Sequence, residues 1–374
     1  MDEAVKEDIK GSKELLEDVI NNGLCTLCGA CAGACPYLVS YQGRIVMLDE
    51  CTLSEGQCYQ YCPRTRTDMD ALSQEVFGQP YGEEEIGTAK EVLMARSADT
   101  RVLEKAQYGG TVTTLLSLAM DEGLINTAVL TRETEDKMPV PFLARSSEEV
   151  LEGAGSNYMV CPVLEGYNRI PADSVERVGM VVTPCQGLAV SKMKLIPPYH
   201  RPSSDNIGLV IGLFCTWALS QESFGRFLRD SLNLAKIKKF DIPPPPANRL
   251  DVYTLAGRVS FPLDQIREFK MPTCSYCLDM TSEFADVSVG SVEGVEGWNT
   301  VIIRTDTGAD LVKLARDRGM LETAALPEEN LKHLKEAALL KKKRALKEII
   351  NRTGDKDNLL YLDMSPELVG KLLA

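Results

Sequence analysis

Twelve cysteines and only two histidines stand among these 374 residues, so chemistry at a metal or redox centre falls to sulfur. Cys25, Cys28, Cys31 and Cys35, followed by Pro36, keep a C-x2-C-x2-C-x3-C-P spacing. Gaps of two residues let one loop wrap three thiolates around a cubane, while the fourth cysteine points to a different centre. Small residues between them, such as Gly29 and Ala30, allow backbone N–H groups to approach the cluster sulfides. A zinc site would use Cys25 and Cys28 but leave Cys31 and Cys35 without purpose. The spacing therefore predicts an iron–sulfur cluster. His200, in a Pro-flanked loop, and His333, in a Lys-rich helical stretch, have no cysteine or carboxylate cluster beside them and read as surface residues.

A second arm follows in Cys51, Cys58 and Cys62, the last before Pro63. Together the arms resemble two-cluster bacterial ferredoxins, in which ligation crosses between arms. That implies one [4Fe-4S] cluster on Cys25, Cys28, Cys31 and Cys62, and leaves three thiolates, Cys35, Cys51 and Cys58, for the other. Six residues separate Cys51 from Cys58, with Ser54 and Glu55 where a further ligand is missing. The long gap resembles seven-iron ferredoxins and a [3Fe-4S] cluster. A [4Fe-4S] cluster completed by a non-cysteine ligand or solvent, and a degenerate arm without a cluster, stay open.

Five cysteines remain. Cys274 and Cys277 form a C-x2-C pair, while Cys185 and Cys215 each end an apolar run that reads as a strand. Cysteines at strand ends converge on one edge of a sheet, yet a buried free thiol is also common, and spacing alone leaves both readings standing. Cys161 reads as a core thiol.

These side chains need elements to position them. Residues 1–22 read as an acidic amphipathic helix with Leu15, Leu16, Val19 and Ile20 as its apolar face. Residues 23–66 form the ferredoxin-like domain, 67–90 a polar linker, 91–327 a larger domain and 328–374 a helical extension. In the larger domain strands at Val92–Ala95, Ala128–Leu130 and Val178–Val182 alternate with a helix at Thr111–Glu122, the pattern of an α/β fold. Pro243 to Pro246 read as a stiff linker before a hairpin around Gly257. In the extension, Leu331, Leu334, Ala338, Ala345, Ile349 and Ile350 recur at helical spacing opposite Lys341, Lys342, Lys343 and Arg344. That reads as a solvated helix packed on its own domain, or as a docking helix for an acidic partner. The fold class expected is an α+β ferredoxin-like domain, then an α/β domain, then a helical extension.

A net charge of −13 repels nucleic-acid phosphates and anionic lipid, which argues against both as partners. The acidic start, Met1-Asp2-Glu3, lacks a signal-peptide pattern. The longest apolar run, Ile207 to Leu219, falls short of the ~18 residues a bilayer requires. A cytoplasmic protein without membrane insertion is expected.

With the motifs assembled, the chain resembles the coenzyme F420 hydrogenase/dehydrogenase beta subunit family from Cys25 to about Arg318. The resemblance is carried by Gln107-Tyr108-Gly109-Gly110-Thr111-Val112-Thr113, by Gly155-Ser156-Asn157-Tyr158 and by Thr183-Pro184-Cys185-Gln186. Ile211 to Cys215, Cys274-x2-Cys277-x-Asp279, Ala285 to Ser291 and Gly297 to Arg304 complete it. It implies FAD held near Gly109, Gly110, Thr111, Thr113, Ser156, Asn157 and Tyr158. It also implies a further [4Fe-4S] cluster on Cys185, Cys215, Cys274 and Cys277. The full complement would be FAD, two [4Fe-4S] clusters and a third cluster that is [3Fe-4S] or [4Fe-4S].

The chemistry implied is hydride exchange with coenzyme F420 or a similar two-electron carrier. Single electrons then pass to a redox partner of hydrogenase, formate dehydrogenase, heterodisulfide-reductase-like or membrane dehydrogenase type. FAD N5, rather than a side chain, would be the reacting centre. Other readings are a ferredoxin-dependent reductase of an organic substrate, an NAD(P)H-linked variant, and a non-catalytic electron wire. Tyr108 stands where the family commonly has Asp. No G-x-G-x-x-G follows a strand; Gly290, Gly294 and Gly297 read as a loop, so a Rossmann-type site has no support.

Overall fold

The computed structural model describes residues 10–171, 174–196, 204–243 and 247–374. His200, residues 1–9 of the first predicted helix and Pro244 to Pro246 lie outside them.

Four apolar runs, Thr127–Glu133, Val178–Val182, Ile207–Leu213 and Val287–Ser291, pair in parallel at the middle of the molecule. Parallel strands are buried on both faces, which is why Val178–Val182 and Ile207–Leu213 hold only Val, Ile, Leu, Met and Gly. Antiparallel strands extend both flanks: Pro139–Ala144 beyond the first, and Asn299–Ile303, Glu91–Ser97 and Leu321–Ala325 beyond the last. The result is one eight-stranded mixed sheet.

Helices Thr111–Asp121 and Asp306–Asp317 cover one face through Leu115, Leu118, Leu311 and Val312. Val163–Asn168 and Pro184–Leu195 cover the other through Leu164, Tyr167, Val190 and Met193. A three-stranded sheet of Ile237–Asp241, Arg249–Thr254 and Gly257–Pro262 stands apart, packed on the Phe224 side of helix Gln221–Ser231. Its hairpin turns just before Gly257.

The cysteine-dense segment carries a small hairpin, Leu38–Tyr41 with Arg44–Met47, and docks on the second face. Gly29 governs that docking. Its φ is +90°, and a Cβ there would sit 2.5 Å from Glu165 N and 2.6 Å from Pro162 O. Asn168 Nδ2 then donates to the carbonyls of Gly29, Ala30 and Ala32, at 3.2, 3.0 and 2.8 Å.

Two stretches differ from their sequence reading. The connector 67–90 holds a helix, Met69–Phe77, which buries Met69 and Leu72 against Leu346, Ile349 and Leu362 of the C-terminal region. Its first residues, Thr67–Asp68, pair in parallel with Leu362–Asp363. The 26-residue helix Glu328–Thr353 buries Ala338, Ala345 and Ile349 as expected, but also Lys341 and Lys342, at 3% and 1% exposure. That places two of the four cations inside the protein rather than on a solvated face. The reason is electrostatic: each ammonium has buried acceptors, described below.

Candidate functional site

Cys25, Cys28, Cys31 and Cys62 are brought together by the first loop and by the turn after helix Gln57–Gln60. Leu27 adopts φ 53°, a strained conformation for a non-glycine residue, and its N–H lies 3.4 Å from Cys25 Sγ. Burial pushes the Cys25 thiol up to about 12, with Cys62 and Cys185 adding to it. Burial likewise raises Cys28, Cys31 and Cys62. Burial thus disfavours a bare thiolate at these positions, and a bound cation would be needed to keep the sulfurs deprotonated.

Cys185, Cys215, Cys274 and Cys277 meet at the carboxyl edge of the parallel strands. Cys185 lies in the first turn of the helix after Val178–Val182, and Cys215 just past Ile207–Leu213. Cys274 and its neighbours form a 3-10 turn, Pro272–Tyr276, with Cys277 next. Cys215 is raised by burial, then by Cys274, Cys185 and Cys277 against the pull of Lys341. Cys274 is pushed up to about 11 by burial, and Ala218 N–H donates to its Sγ at 3.4 Å.

Cys35, Cys51 and Cys58 form the outer set, all partly exposed. Cys58 is pushed up to about 12 by burial, then by Cys35 and Cys51. Gly56 leaves room for it, since a Cβ there would stand 2.9 Å from Cys58 Sγ. The sets also adjoin: Cys185 acts on Cys25 and Cys28, and Cys58 on Cys31. Cys161 is a buried thiol raised to about 12 by burial, and its carbonyl accepts from Gln186. Among the described residues no three His, Cys, Asp or Glu side chains gather closely enough to share one metal ion. Donor sets made of cysteine alone suit polynuclear iron–sulfur clusters.

A cavity of about 1330 Å³ opens on the Cys185, Cys215, Cys274 and Cys277 set. Gly110, Thr111, Thr113, Ser156, Asn157 and Tyr158 line it; Gly109 does not. A Cβ on Gly109 would lie 2.7 Å from Ala95 O and 2.8 Å from Asn299 Oδ1, so close packing of the turn on two strand ends requires glycine there. Gly110, at φ +68°, caps helix Thr111–Asp121, whose N-terminus faces the cavity. Tyr158 Oη accepts from Ile242 N–H at 3.0 Å, and Asn157 Nδ2 donates to Glu133 at 2.9 Å. Tyr108 is pushed up to about 12 by burial, with Asp241 beside it. His333 stands at the rim, half exposed, 2.5 Å from Glu293.

The structure gives several cations buried partners that sequence reasoning missed. Lys192 Nζ donates to Cys62 O at 2.9 Å and Thr65 Oγ1 at 2.8 Å, and burial lowers its pKa to about 8. Lys341 Nζ donates to Cys215 O at 2.7 Å and Asp279 O at 2.6 Å. Burial lowers its pKa, but Cys277, Cys215 and Asp279 outweigh that and the net direction is upward. Lys342 pairs with buried Glu283 at 2.8 Å. Arg64, 4% exposed, lies between the two inner sets. In the sequence Lys341 and Lys342 show only as part of a cationic run, and Arg64 only by its place two residues after Cys62.

A cysteine-clustered module docked on a mixed α/β domain, with a large cavity at the strand ends, defines an iron–sulfur protein of the oxidoreductase class. Residues 18–39 match the 4Fe-4S binding domain. Residues 92–166 match the N-terminal model, and 175–329 the C-terminal model, of the coenzyme F420 hydrogenase/dehydrogenase beta subunit. The chain belongs to that family. The coenzyme F420 hydrogenase subunit beta of Methanothermobacter thermautotrophicus is 34% identical over 71% of this chain and 96% of its own length. The coenzyme F420-dependent sulfite reductase of Methanocaldococcus jannaschii is 27% identical over 92% of this chain and 53% of its own length. A chain of the F420-reducing [NiFe] hydrogenase complex from Methanosarcina barkeri superposes with TM-score 0.68 at 30% identity, over 73% of this chain and 95% of that one.

Proposed function

We propose that this chain is the hydride-exchanging subunit of a coenzyme F420-linked oxidoreductase, with FAD in the cavity and iron–sulfur clusters leading away from it. The observation that carries this reading is the cavity itself: it opens on Cys185, Cys215, Cys274 and Cys277, and that set adjoins Cys25 and Cys28. Its volume exceeds the roughly 300–1,000 Å³ typical of drug-sized ligands, which suits a dinucleotide cofactor with a second ring beside it.

Gly110, Thr111 and Thr113 would hold the diphosphate at the helix N-terminus, where backbone N–H groups and the helix dipole favour an anion. Ser156, Asn157 and Tyr158 would close the opposite wall. FAD supplies, when bound, the exchange between two-electron hydride chemistry and one-electron transfer. Cys185, Cys215, Cys274 and Cys277 would hold a [4Fe-4S] cluster beside it, and Cys25, Cys28, Cys31 and Cys62 the next. Cys35, Cys51 and Cys58 would hold a third, of [3Fe-4S] or [4Fe-4S] type, facing a partner redox subunit. A cytoplasmic location is part of the proposal; among the described residues no helix is long and apolar enough to cross a membrane.

The test is an anaerobic preparation analysed for flavin, iron and reduction of a viologen dye by reduced F420. FAD near one per chain and roughly eleven to twelve iron atoms are expected from three clusters. Sub-stoichiometric flavin after reconstitution with excess FAD would overturn the hydride-exchange role. Four to five iron atoms would overturn the relay.

A further inference from the structure

A buried guanidinium stands where the two inner cysteine sets meet. Arg64 Nε donates to Thr273 Oγ1 at 3.1 Å, and an η nitrogen lies 3.4 Å from Thr273 O. Thr273 Oγ1 donates in turn to Leu24 O at 2.6 Å. Arg64 follows Cys62 by two residues, Thr273 precedes Cys274, and Leu24 precedes Cys25. One short polar path therefore ties the ligand loops of both sets. The guanidinium face lies 4.3 Å from the Tyr361 ring, and Tyr361 Oη donates to Tyr276 O, inside the Cys274–Cys277 loop, at 2.9 Å.

This cation has no carboxylate partner among the described residues. A buried charge without a counter-charge is strongly unfavourable. The groups that favour its charge are Tyr361 and the thiols of Cys277, Cys185 and Cys274, with Cys25 and Cys62 on its other side. A cluster bound by four thiolates carries net negative charge in both oxidation states, and the more so when reduced. Arginine cannot lose its proton in a protein, so its field is constant.

We propose that Arg64 is the positioning residue shared by the two inner clusters: its fixed charge favours the reduced form of each, and its fork on Thr273 holds the two ligand loops in register. The inference rests on the ligand sets proposed above, which the iron content of the wild-type protein tests separately.

The experiment is an EPR-monitored redox titration of the intact, reconstituted protein and of Arg64→Met and Arg64→Lys. Arg64→Met, with its iron retained, should lower the reduced-to-oxidised ratio of both inner clusters at fixed potential about tenfold, which is about 59 mV for a one-electron couple. The outer cluster should keep its potential and serve as the internal control. Arg64→Lys keeps the charge but not the planar fork, so its potentials should stay near wild type. Unchanged inner potentials in Arg64→Met with full iron would overturn the proposal, as would an equal shift of all three clusters. Should Arg64→Met lose iron, Arg64→Lys decides: wild-type potentials support the charge role, and loss of iron there too makes Arg64 a folding residue only and overturns it.

Discussion

Cys25, Cys28, Cys31 and Cys62 and the set of Cys35, Cys51 and Cys58 come from the same two sequence arms, yet they occupy different surroundings. The inner thiols lie against the large domain, with Lys192 on the Cys62 carbonyl and Arg64 close by. The outer thiols are partly exposed, near Leu48 and Leu53 at 63% and 62% exposure, and none of the described buried cations reaches their loops. Burial without charge compensation would make anionic clusters harder to reduce; compensation restores the balance. In the proposed relay the two sets would differ through the residues around the cysteines rather than through the cysteines themselves.

The sharpest way to break this comparison is to remove one thiol from each end. Cys277→Ala should abolish transfer from the cavity to the relay, a loss beyond the roughly 10–100-fold caused by removing residues that merely support a ligand. Flavin should stay bound. Cys51→Ala should leave dye-linked reduction intact where the dye accepts from the inner clusters, while lowering iron. Near-wild-type dye reduction by Cys277→Ala would erase the distinction. Next in size is Lys342→Met, which strands the Glu283 carboxylate and should cost about 3–5 kcal/mol in thermal or denaturant unfolding.

Gly29→Ala addresses the docking of the inner loop. A β-carbon at φ +90° against Glu165 N and Pro162 O should cost roughly 2–4 kcal/mol. The same change at Gly23, at φ +67° but with nothing within 4 Å, should cost less in the same melt. The smallest effect is reserved for a thiol outside every set: Cys161→Ser should cost about 1 kcal/mol and leave iron content unchanged. A drop in iron with Cys161→Ser would enlarge a ligand set.

The repeated spacing of the first arm made its chemistry legible because ferredoxin loops are local in sequence. Three of the four parallel strands were legible too, since runs such as Val178–Val182 stay apolar throughout, whereas Val287–Ser291, broken by Ser288 and Gly290, was not. Lys341 and Lys342 were not, because a helix-face pattern reports polarity and not whether a carbonyl such as Cys215 O waits inside the fold. The helix Met69–Phe77 was hidden for a related reason. Its apolar contacts come from Leu346 and Ile349, far along the chain, and its flanking Gly and Glu residues read as a connector.

The pairing of Thr67–Asp68 with Leu362–Asp363, reinforced by Arg66 on Asp363 at a separation of 297 residues, sets an order on biosynthesis. At a ribosomal rate of about 5–20 residues per second, roughly 15–60 s elapse between the emergence of the two segments. For most of that interval the first cysteine loops stand without the helix carrying Lys341, and throughout it without the strand that closes over Thr67. Cluster delivery to a nascent chain would thus meet an open module, and the segment around Leu362 would act as the latch that closes over Thr67.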